Sequence, residues 1–395
     1  MSRLWDKGGE LDRRVLAYTA GEDHRLDERL VRYDVKASLA HTAMLERQGL
    51  LEPEAAGRIR DGLQSLGDAH ARGDWQIGMD DEDGHTALER RLTEAIGEDG
   101  GRVHLGRSRN DQVLTALRLY LRDAIVEIDA AVGGLVTELE RLAERDGDIE
   151  LPGYTHLQQA MPSSVGLWAL GFASEFDDDR AGLRAAGRRA DKNPLGSAAG
   201  YGTPGLDIDR DATTAALGFA EPHEPVTAVQ LSRGKAEAAV LAELTLLTND
   251  IARLASDLLL YYTREFRFVS LPERLTTGSS IMPQKRNPDV LELVRAAPAT
   301  VSACLNECLM ITTKLTSGYH RDLQRLKPPL FRGIDLTLDT VTIMAEMIIG
   351  LRFNADEISL DPGVHAAAEA NRLVVEEGLS FREAYRRVGK QYTDG

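Results

Sequence analysis

Long stretches of the chain carry an apolar residue every three or four positions. Their approximate limits are residues 110–145, 160–190, 230–264, 288–315 and 330–352. Because this spacing places the apolar residues on one face of an α-helix, each stretch is predicted to form a long helix. Long helices with a sustained apolar stripe pack side by side as a bundle. The middle two thirds of the chain show no convincing strand alternation.

Shorter helical patterns precede and follow these stretches, and the clearest covers about residues 27–48 and ends at Gly49. We predict an all-α fold in which an elongated central bundle of long helices, residues 103–350, is flanked by two smaller helical domains. Those domains are residues 1–102 and 351–395. Helix 330–352 carries apolar residues on more than one face, which an oligomer would explain.

The composition argues against proteins that bind nucleic acids or anionic membranes. Only 5% of the residues are aromatic, the net charge is -16 and the sequence pI is about 5.1. A nucleic acid or an anionic membrane surface would need a basic face, so neither is expected as a partner. An anionic small molecule would need only a local cluster of cations.

Cysteines and apolar runs give no sign of an exported or membrane protein. The cysteines are Cys304 and Cys308, which we interpret as two buried free thiols. The charged N-terminus shows no secretory signal, and no run approaches 18 apolar residues. These features predict a cytoplasmic protein. No spacing typical of a metal site is present, so no metal is expected.

Four irregular stretches between the predicted helices are rich in polar residues. They are GRSRND at 106–111, PGYTHLQQAMP at 152–162, TTGSSIMPQKRNPD at 276–289 and SGYHRDLQRLK at 317–327. Each lies at the end of a long helix, where a rigid scaffold can carry a reactive loop. The Gly-rich stretch 196–205 lacks a phosphate-binding ending and is interpreted as a flexible connector or lid.

The third stretch carries the densest set of reactive side chains. Ser279, Ser280 and Lys285 precede Asn287, which is predicted to cap a helix that begins at Pro288. A capped turn with a solvated lysine would explain the cap but not the Gly-Ser-Ser sequence. Glu292 would lie one turn into that helix.

Two histidines receive different interpretations. His156 lies between Pro152-Gly153 and Pro162 among polar neighbours, and we interpret it as catalytic. His85 follows a run of acidic residues at a predicted helix start. We interpret it as a surface or capping residue.

The segment GSSIMPQKRNPD resembles the signature of the fumarase/aspartase superfamily, whose members eliminate a group from a succinyl unit and release fumarate. GRSRNDQ, PGYTHLQ and YHRDLQ resemble the argininosuccinate lyase branch of that superfamily, as does Gln284 before Lys285. The similarity extends from Leu4-Trp5 to FREAYRRVG near the end. It therefore covers essentially the whole chain.

This resemblance implies roles for particular residues. Ser279 would be the general base, Lys285 and Asn287 would stabilise the developing negative charge, and His156 would pair with Glu292. The implied substrate contacts are Ser108, Arg109, Asn110, Thr155, Asn287, Tyr319, Gln324 and Lys327. The family is a homotetramer in which each active site draws residues from three chains. It splits argininosuccinate into arginine and fumarate without a metal or an organic cofactor.

Some positions depart from the common family pattern. His320 and Arg325-Leu326 replace an asparagine and two acidic residues in the last motif. These changes leave open a sibling lyase that acts on another N-substituted aspartate. A non-catalytic homologue of the lens-crystallin kind is a further alternative, although Ser279 and His156 are both present. The chain also ends short of the usual C-terminal domain, which implies either a reduced tail or an incomplete chain.

Overall fold

The computed structural model describes residues 13–393, so the prediction about a secretory signal concerns a segment that lies largely outside the described residues. Within that range most residues are helical, and the predicted all-α class is confirmed. In chain order the α-helices α1 to α14 span Arg13–Ala20, Asp23–Leu26, Val31–Arg47, Pro53–Ala71, Gly84–Ile96, Arg109–Asp146, Val165–Gly187, Arg210–Leu217, Val226–Leu231, Lys235–Tyr262, Asp289–Thr312, Lys327–Gly350, Ala366–Glu377 and Phe381–Thr393.

The five longest helices coincide with the predicted stretches. The longest, α6, has 38 residues and begins one residue before the predicted start. The helices α10, α11 and α12 agree with their predicted limits to within about five residues at each end. A sustained apolar stripe over many turns therefore predicts helices of this length well.

The fifth long helix differs from its prediction, because a β-hairpin occupies its expected start. Strand β1 (Glu150–Thr155) pairs antiparallel with β2 (Gln158–Ser164), and helix α7 begins only after β2. Pro152 lies opposite Pro162 in this ladder. Proline cannot donate a backbone hydrogen bond and is tolerated at sheet edges, so its presence does not exclude a short two-stranded ribbon.

The remaining strands have two residues each. Their ranges are Lys192–Asn193 (β3), Glu221–Pro222 (β4), Val269–Ser270 (β5), Thr277–Gly278 (β6), Arg286–Asn287 (β7) and Arg352–Phe353 (β8). Strand β3 pairs parallel with β4, while β5 pairs with β8 and β6 with β7 in antiparallel fashion. These ladders hold the ends of loops rather than forming a layer of the fold.

The chain divides into two compact units that both include parts of the long helices. Among the described residues, unit 1 contains 13–127, 182–244 and 301–335, and unit 2 contains 128–181, 245–300 and 336–393. The three domains expected from the sequence, 1–102, 103–350 and 351–395, stay a prediction.

Unit 1 has an apolar core between helices α3, α4 and α5. Ile59, Leu63 and Leu92 are fully buried there. Complete burial of one such side chain stabilises the fold by about 1.5–3 kcal/mol. Cys304 and Cys308, also in unit 1, are buried free thiols as predicted.

Unit 2 contains an aromatic cluster that connects its helices to the strand β8. The rings of Trp168, Tyr261 and Phe353 lie 5.6–6.5 Å apart, and the Trp168 indole donates a hydrogen bond to Asp257 at 3.0 Å. Because Phe353 pairs with Val269 in the β5–β8 ladder, this cluster fixes the chain shortly before the Ser279 loop. No helix within residues 13–393 is long and apolar enough to cross a membrane.

Candidate active site

The Ser279 loop is closed at its base by the β6–β7 ladder. Thr277 pairs with Asn287 and Gly278 with Arg286, so residues 279–285 form a loop of seven residues. The Thr277 hydroxyl also donates to the Asp289 carboxylate at the start of α11. The loop is therefore held firmly at its two ends, while Lys285 and most of its other side chains are exposed.

Ser279 lies in this loop with its hydroxyl oxygen facing backbone donors. The N–H groups of Ile281 and Met282 donate to Ser279 Oγ at 3.3 and 3.1 Å. Successive backbone N–H groups directed at one oxygen favour negative charge on it. Two backbone donors therefore face the Ser279 oxygen.

Asn287 does not cap helix α11, and the prediction that it does is wrong. Its pairing with Thr277 holds it in the extended strand β7, and the helix begins at Asp289. The carbonyl of Pro288 accepts the bond from the Glu292 N–H at 3.2 Å. The Asn287 side chain instead donates to the Gly278 carbonyl at 3.4 Å and so bridges the two ends of the loop.

A cavity of about 1080 Å³ lies beside this loop in unit 2. Lys285, Asn287 and Glu292 all contribute to its lining. Within residues 13–393 no carboxylate lies within 4 Å of the Lys285 ammonium. The structure thus brings three of the predicted residues to one cavity and leaves the lysine able to meet an anion.

His156 occupies the tip of the β1–β2 hairpin, next to Thr155. His156 and Leu157 are the two loop residues, and both have left-handed backbones with φ of 54° and 58°. This pattern is typical of a type I′ turn, where Asn or Gly is preferred because other residues are strained. Strained residues cluster at functional sites, and here the strain presents an exposed imidazole.

The expected pair of His156 and Glu292 is not formed within one chain. Over residues 13–393 the side chains of both residues lack a hydrogen-bond or ion-pair partner, and both are exposed. Each is therefore available to groups outside the single chain.

A second cavity, of about 390 Å³, lies entirely in unit 1. Its lining includes six residues that the family resemblance implies to be substrate contacts. They are Ser108, Arg109, Asn110, Tyr319, Gln324 and Lys327. The segments 106–111 and 317–327 are far apart in sequence, so the fold itself assembles this set.

Asp111 organises one wall of this cavity. Its buried carboxylate accepts from Ser108 N at 2.9 Å and from Gly196 N and Ala198 N at 3.0 and 2.9 Å. Burial raises the pKa of Asp111 to about 6. The first part of the Gly-rich stretch is consequently anchored to the start of α6, which differs from the flexible connector expected from its composition.

Lys327 lies deep in the same cavity and is 2% exposed. Its ammonium donates to Asp27 at 2.6 Å and contacts Asp23 at 2.9 Å. Burial alone would lower the pKa of Lys327, but the two carboxylates outweigh it and raise that pKa. Burial raises the pKa of Asp23 to about 6. The three groups form a buried ionic network behind the substrate contacts.

Gln324 and Tyr319 are positioned by different means. The Gln324 amide donates to the carbonyls of Thr19 and Ala20 at 2.9 and 3.1 Å. The Tyr319 ring lies 5.6 Å from the guanidinium of Arg233.

The interpretation of His85 as a surface or capping residue is wrong, because His85 is buried and lines the unit 1 cavity. It is 7% exposed, and its Nδ1 lies 3.0 Å from the Asp34 carboxylate. Its Nε2 has no partner. The helix cap is Asp83, whose side chain accepts from Thr86 N at 2.9 Å. The acidic residues before His85 indicated a helix cap. The local sequence could not indicate the buried partner Asp34, because Asp34 lies 51 residues earlier.

Arg233 was also missed. It is 5% exposed, contributes to the lining of the unit 1 cavity, and leaves Nε and Nη1 without partners. Burial lowers its pKa. A buried cation without a bound carboxylate is costly, so this arginine is suited to an anionic ligand. The sequence offered no local signal, because Arg233 falls within the predicted helix 230–264; in the structure it lies in the turn between α9 and α10.

Comparison with known proteins gives a consistent result. Residues 11–302 match a family model described as lyase. A protein named argininosuccinate lyase from Sorangium cellulosum is 45% identical over 392 residues, covering 98% of this chain and 90% of the relative. One of the same name from Xylella fastidiosa (strain 9a5c) is 42% identical over 98% of this chain and 87% of its own length. A third, from Thermotoga neapolitana, is 40% identical over 99% and 98%.

Solved structures share the fold. An EDDS lyase in complex with formate superimposes with a TM-score of 0.81 at 25% identity and covers 96% of this chain and 76% of its own. A class II fumarase from Schistosoma mansoni has a TM-score of 0.79 at 17% identity over 95% of this chain and 87% of its own. The second likeness concerns the fold alone.

Proposed function

This chain belongs to the argininosuccinate lyase family, a group of carbon–nitrogen lyases within the fumarase/aspartase superfamily, and we propose that it splits argininosuccinate into L-arginine and fumarate. The observation that carries the proposal is the 40–45% identity to relatives of that name over nearly their whole length. The reaction would serve arginine biosynthesis in the cytoplasm.

The proposed chemistry is a β-elimination in two stages. A base removes a proton from the carbon next to one carboxylate of the succinyl unit, which leaves an aci-carboxylate carrying an extra negative charge. The carbon–nitrogen bond then breaks, its electron pair leaves on the guanidino nitrogen, and that nitrogen takes up a proton. The enzyme must stabilise the aci-carboxylate more than the substrate. The reaction moves protons and breaks one carbon–nitrogen bond without oxidation or reduction, so we propose no metal or cofactor.

Ser279 is proposed as the base. A serine is too weak a base at neutral pH unless its alkoxide is stabilised. The donors Ile281 N and Met282 N supply part of this stabilisation in the present loop geometry. Lys285, which has no carboxylate partner among residues 13–393, would supply a positive charge to the aci-carboxylate, with Asn287 at the base of the loop.

His156 and Glu292 are proposed to meet across chains of a homotetramer. Both are exposed and unpartnered in the described part of one chain, which suits a pair completed by assembly. Glu292 would orient the imidazole, and His156 would deliver a proton to the leaving nitrogen. Thr155 would contact substrate from the same hairpin.

The unit 1 cavity is proposed to bind another part of the substrate than the one that Lys285 meets. Ser108, Arg109 and Asn110 present donors from one wall. Tyr319, Gln324 and Lys327 do so from another. The buried Arg233 adds a cation, which suits a substrate with several carboxylates.

A sibling lyase is the second candidate, since His320 and Arg325 depart from the family pattern. Neither residue lines the 390 Å³ cavity, whereas Tyr319, Gln324 and Lys327 do. His320 Nε2 instead lies 3.1 Å from the Thr316 hydroxyl, and Arg325 lies 5.9 Å from the Tyr18 ring. The departures therefore lie away from the cavity, which favours argininosuccinate as the substrate.

A substrate panel tests the proposal. The protein is incubated with argininosuccinate, adenylosuccinate, aspartate and malate, and fumarate is followed by its ultraviolet absorbance. We expect turnover of argininosuccinate alone. Turnover of another compound in its place would favour the sibling lyase, and no turnover of argininosuccinate would overturn the proposal.

A further inference from the structure

The unit 2 cavity beside Lys285 is lined by more cations than carboxylates, unlike the chain as a whole. Four cations line it, and only two carboxylates do. The cations are Arg264, Arg267, Lys285 and Arg286, and the carboxylates are Asp289 and Glu292. The chain as a whole carries a net charge of -16. Cations without an ion-pair partner in a concave site attract anions from solution.

The cations of this cavity differ in their partners. Arg286 pairs with Glu273 at 2.6 Å, and Arg267 pairs with Glu357 at 3.0 Å. The Arg267–Glu357 pair is exposed on both sides and contributes little to stability. Arg264, like Lys285, has no carboxylate within 4 Å in the described range. Two of the four cations, Arg264 and Lys285, therefore form no ion pair with a carboxylate of the described residues.

Arg267 also has a strained backbone, with φ of 52°. Its N–H donates to the Thr263 carbonyl at 2.8 Å, and its own carbonyl accepts from the Asn354 amide at 2.7 Å. Glycine would make both bonds and tolerate this φ without strain. The fold thus needs the backbone conformation here but not the arginine side chain.

The other non-glycine residues with left-handed backbones lie at the tip of the β1–β2 hairpin or close to the unit 1 cavity. Over residues 13–393 they are Glu82, His156, Leu157 and Ala198. Glu82 precedes the buried His85 helix and pairs with Arg321 at 2.6 Å, and Ala198 donates to Asp111. Strain of this kind persists where a side chain or a local geometry serves function. Arg267 fits that distribution, although it lies in none of the four polar stretches.

We propose that Arg264 and Arg267 form an anion-capture site that draws a carboxylate of the substrate into the Lys285 cavity. This inference rests on the proposed function, because it adds a binding step to the same reaction. The two guanidinium groups contact a carboxylate that does not react, and they leave the proton transfers to other residues. Their contribution is to association, so it weakens as salt screens the charges.

The test compares two double variants of equal charge change. Arg264→Gln/Arg267→Gln removes the proposed site. Arg382→Gln/Arg386→Gln is the control, since both arginines are exposed on α14 and have no carboxylate partner among the described residues. We expect kcat/KM for argininosuccinate to fall about tenfold in the first variant at low ionic strength, mainly through KM. The difference shrinks as sodium chloride is raised towards about 0.5 M, and the control follows the wild type.

The single variant Arg267→Gly tests whether a loss of affinity could come from misfolding instead of from the missing side chain. Its melting temperature should equal or exceed that of the wild type, because glycine accepts the backbone conformation. Its KM should rise while kcat is retained. If the first double variant matches the control at every salt concentration, the capture site is refuted.

Failure of the proposed function would give a different result. In that case the wild type itself does not turn over argininosuccinate, and the capture site is judged by calorimetric binding of fumarate as a dianionic probe. Tighter binding by the wild type than by Arg264→Gln/Arg267→Gln supports the site. Equal binding, or none in either protein, overturns it.

Discussion

At the scale of single residues, His41 is a buried group whose charge state the fold controls. It is 0% exposed, and its Nε2 lies 2.8 Å from the Leu105 carbonyl, so Nε2 carries the proton and donates. Its Nδ1 has no partner. Burial, and then the charge of Arg107, lower the pKa of His41 to about 3. A second proton on Nδ1 would be a buried donor without an acceptor.

We therefore predict that His41 makes the protein less stable in mild acid. Below pH 6.5 the unfolded chain binds a proton on this histidine that the folded chain does not, so stability falls as pH falls. Between pH 7 and pH 5 the loss is about 2 kcal/mol. Urea unfolding at both pH values should show that His41→Gln loses about 2 kcal/mol less than the wild type.

The wild type must be compared with a His41 variant, because other groups change the stability in the opposite direction with pH. Asp23 and Asp111 have folded pKa values of about 6, above their ordinary 3.8, so the stability they contribute is lost as pH rises through 6. These carboxylates contribute equally to the wild type and to the variant. The exposed His365→Gln serves as a control and should follow the wild type. An identical pH dependence in His41→Gln would contradict the prediction.

At the scale of elements, the β1–β2 hairpin combines backbone strain with an exposed imidazole. Asparagine tolerates the left-handed conformation of position 156 better than histidine does. We predict that His156→Asn keeps the free energy of unfolding within about 1 kcal/mol of the wild type. Turnover should fall by about 10²- to 10⁴-fold because a proton donor is lost. Circular dichroism during thermal melting and fumarate release measure the two effects.

The neighbouring turn residue provides the matched control. Leu157→Gly relieves the same kind of strain but keeps the imidazole, and it should raise the stability by up to about 1 kcal/mol. Its turnover should stay far above that of His156→Asn. Full turnover by His156→Asn would remove this histidine from the chemistry.

The long helices could be predicted from the sequence, whereas the short strands could not. A helix such as α6 repeats its apolar signal over 38 residues. The hairpin 150–164 has no such signal, because only Leu151 and Pro152 of its strands are buried and no face is buried enough to impose alternation. Asn287 was misassigned for a related reason. The sequence Asn-Pro-Asp favours a helix cap locally, and pairing with Thr277 overrides it.

The sequence predicted those site residues that lie in polar stretches between the apolar patterns of the long helices. Ser108 and Tyr319 belong to such interruptions, and the fold brings both to one cavity. His85 and Arg233 fall within stretches that the sequence predicts to be helical, where a polar residue is ordinarily on the surface. Only their tertiary partners, such as Asp34 for His85, reveal that they are buried.

At the scale of the whole molecule, the proposed catalytic residues do not complete a site within one chain. His156 and Glu292 both lack partners in the described range, and the proposed tetramer would supply them. We predict complementation between His156→Asn and Asn110→Ala, each of which is expected to lose most of its turnover. If each active site takes residues 156 and 110 from different chains, some sites in a mixed tetramer contain both His156 and Asn110.

The mixing experiment needs co-expression of the two chains under different affinity tags, followed by purification on both. The doubly purified protein should release fumarate from argininosuccinate, although neither variant does so alone. A mixture of the separately purified homotetramers is the control and should stay inactive. Inactive mixed tetramers would mean that both residues act from one chain.

The central claim is that Ser279 is the base of an argininosuccinate elimination. It is tested most directly by the rate of fumarate release from argininosuccinate in Ser279→Ala, with Ser280→Ala measured beside it. We predict that Ser279→Ala stays folded and loses about 10²- to 10⁴-fold in kcat, while Ser280→Ala loses much less. Turnover by Ser279→Ala close to that of the wild type would contradict the account.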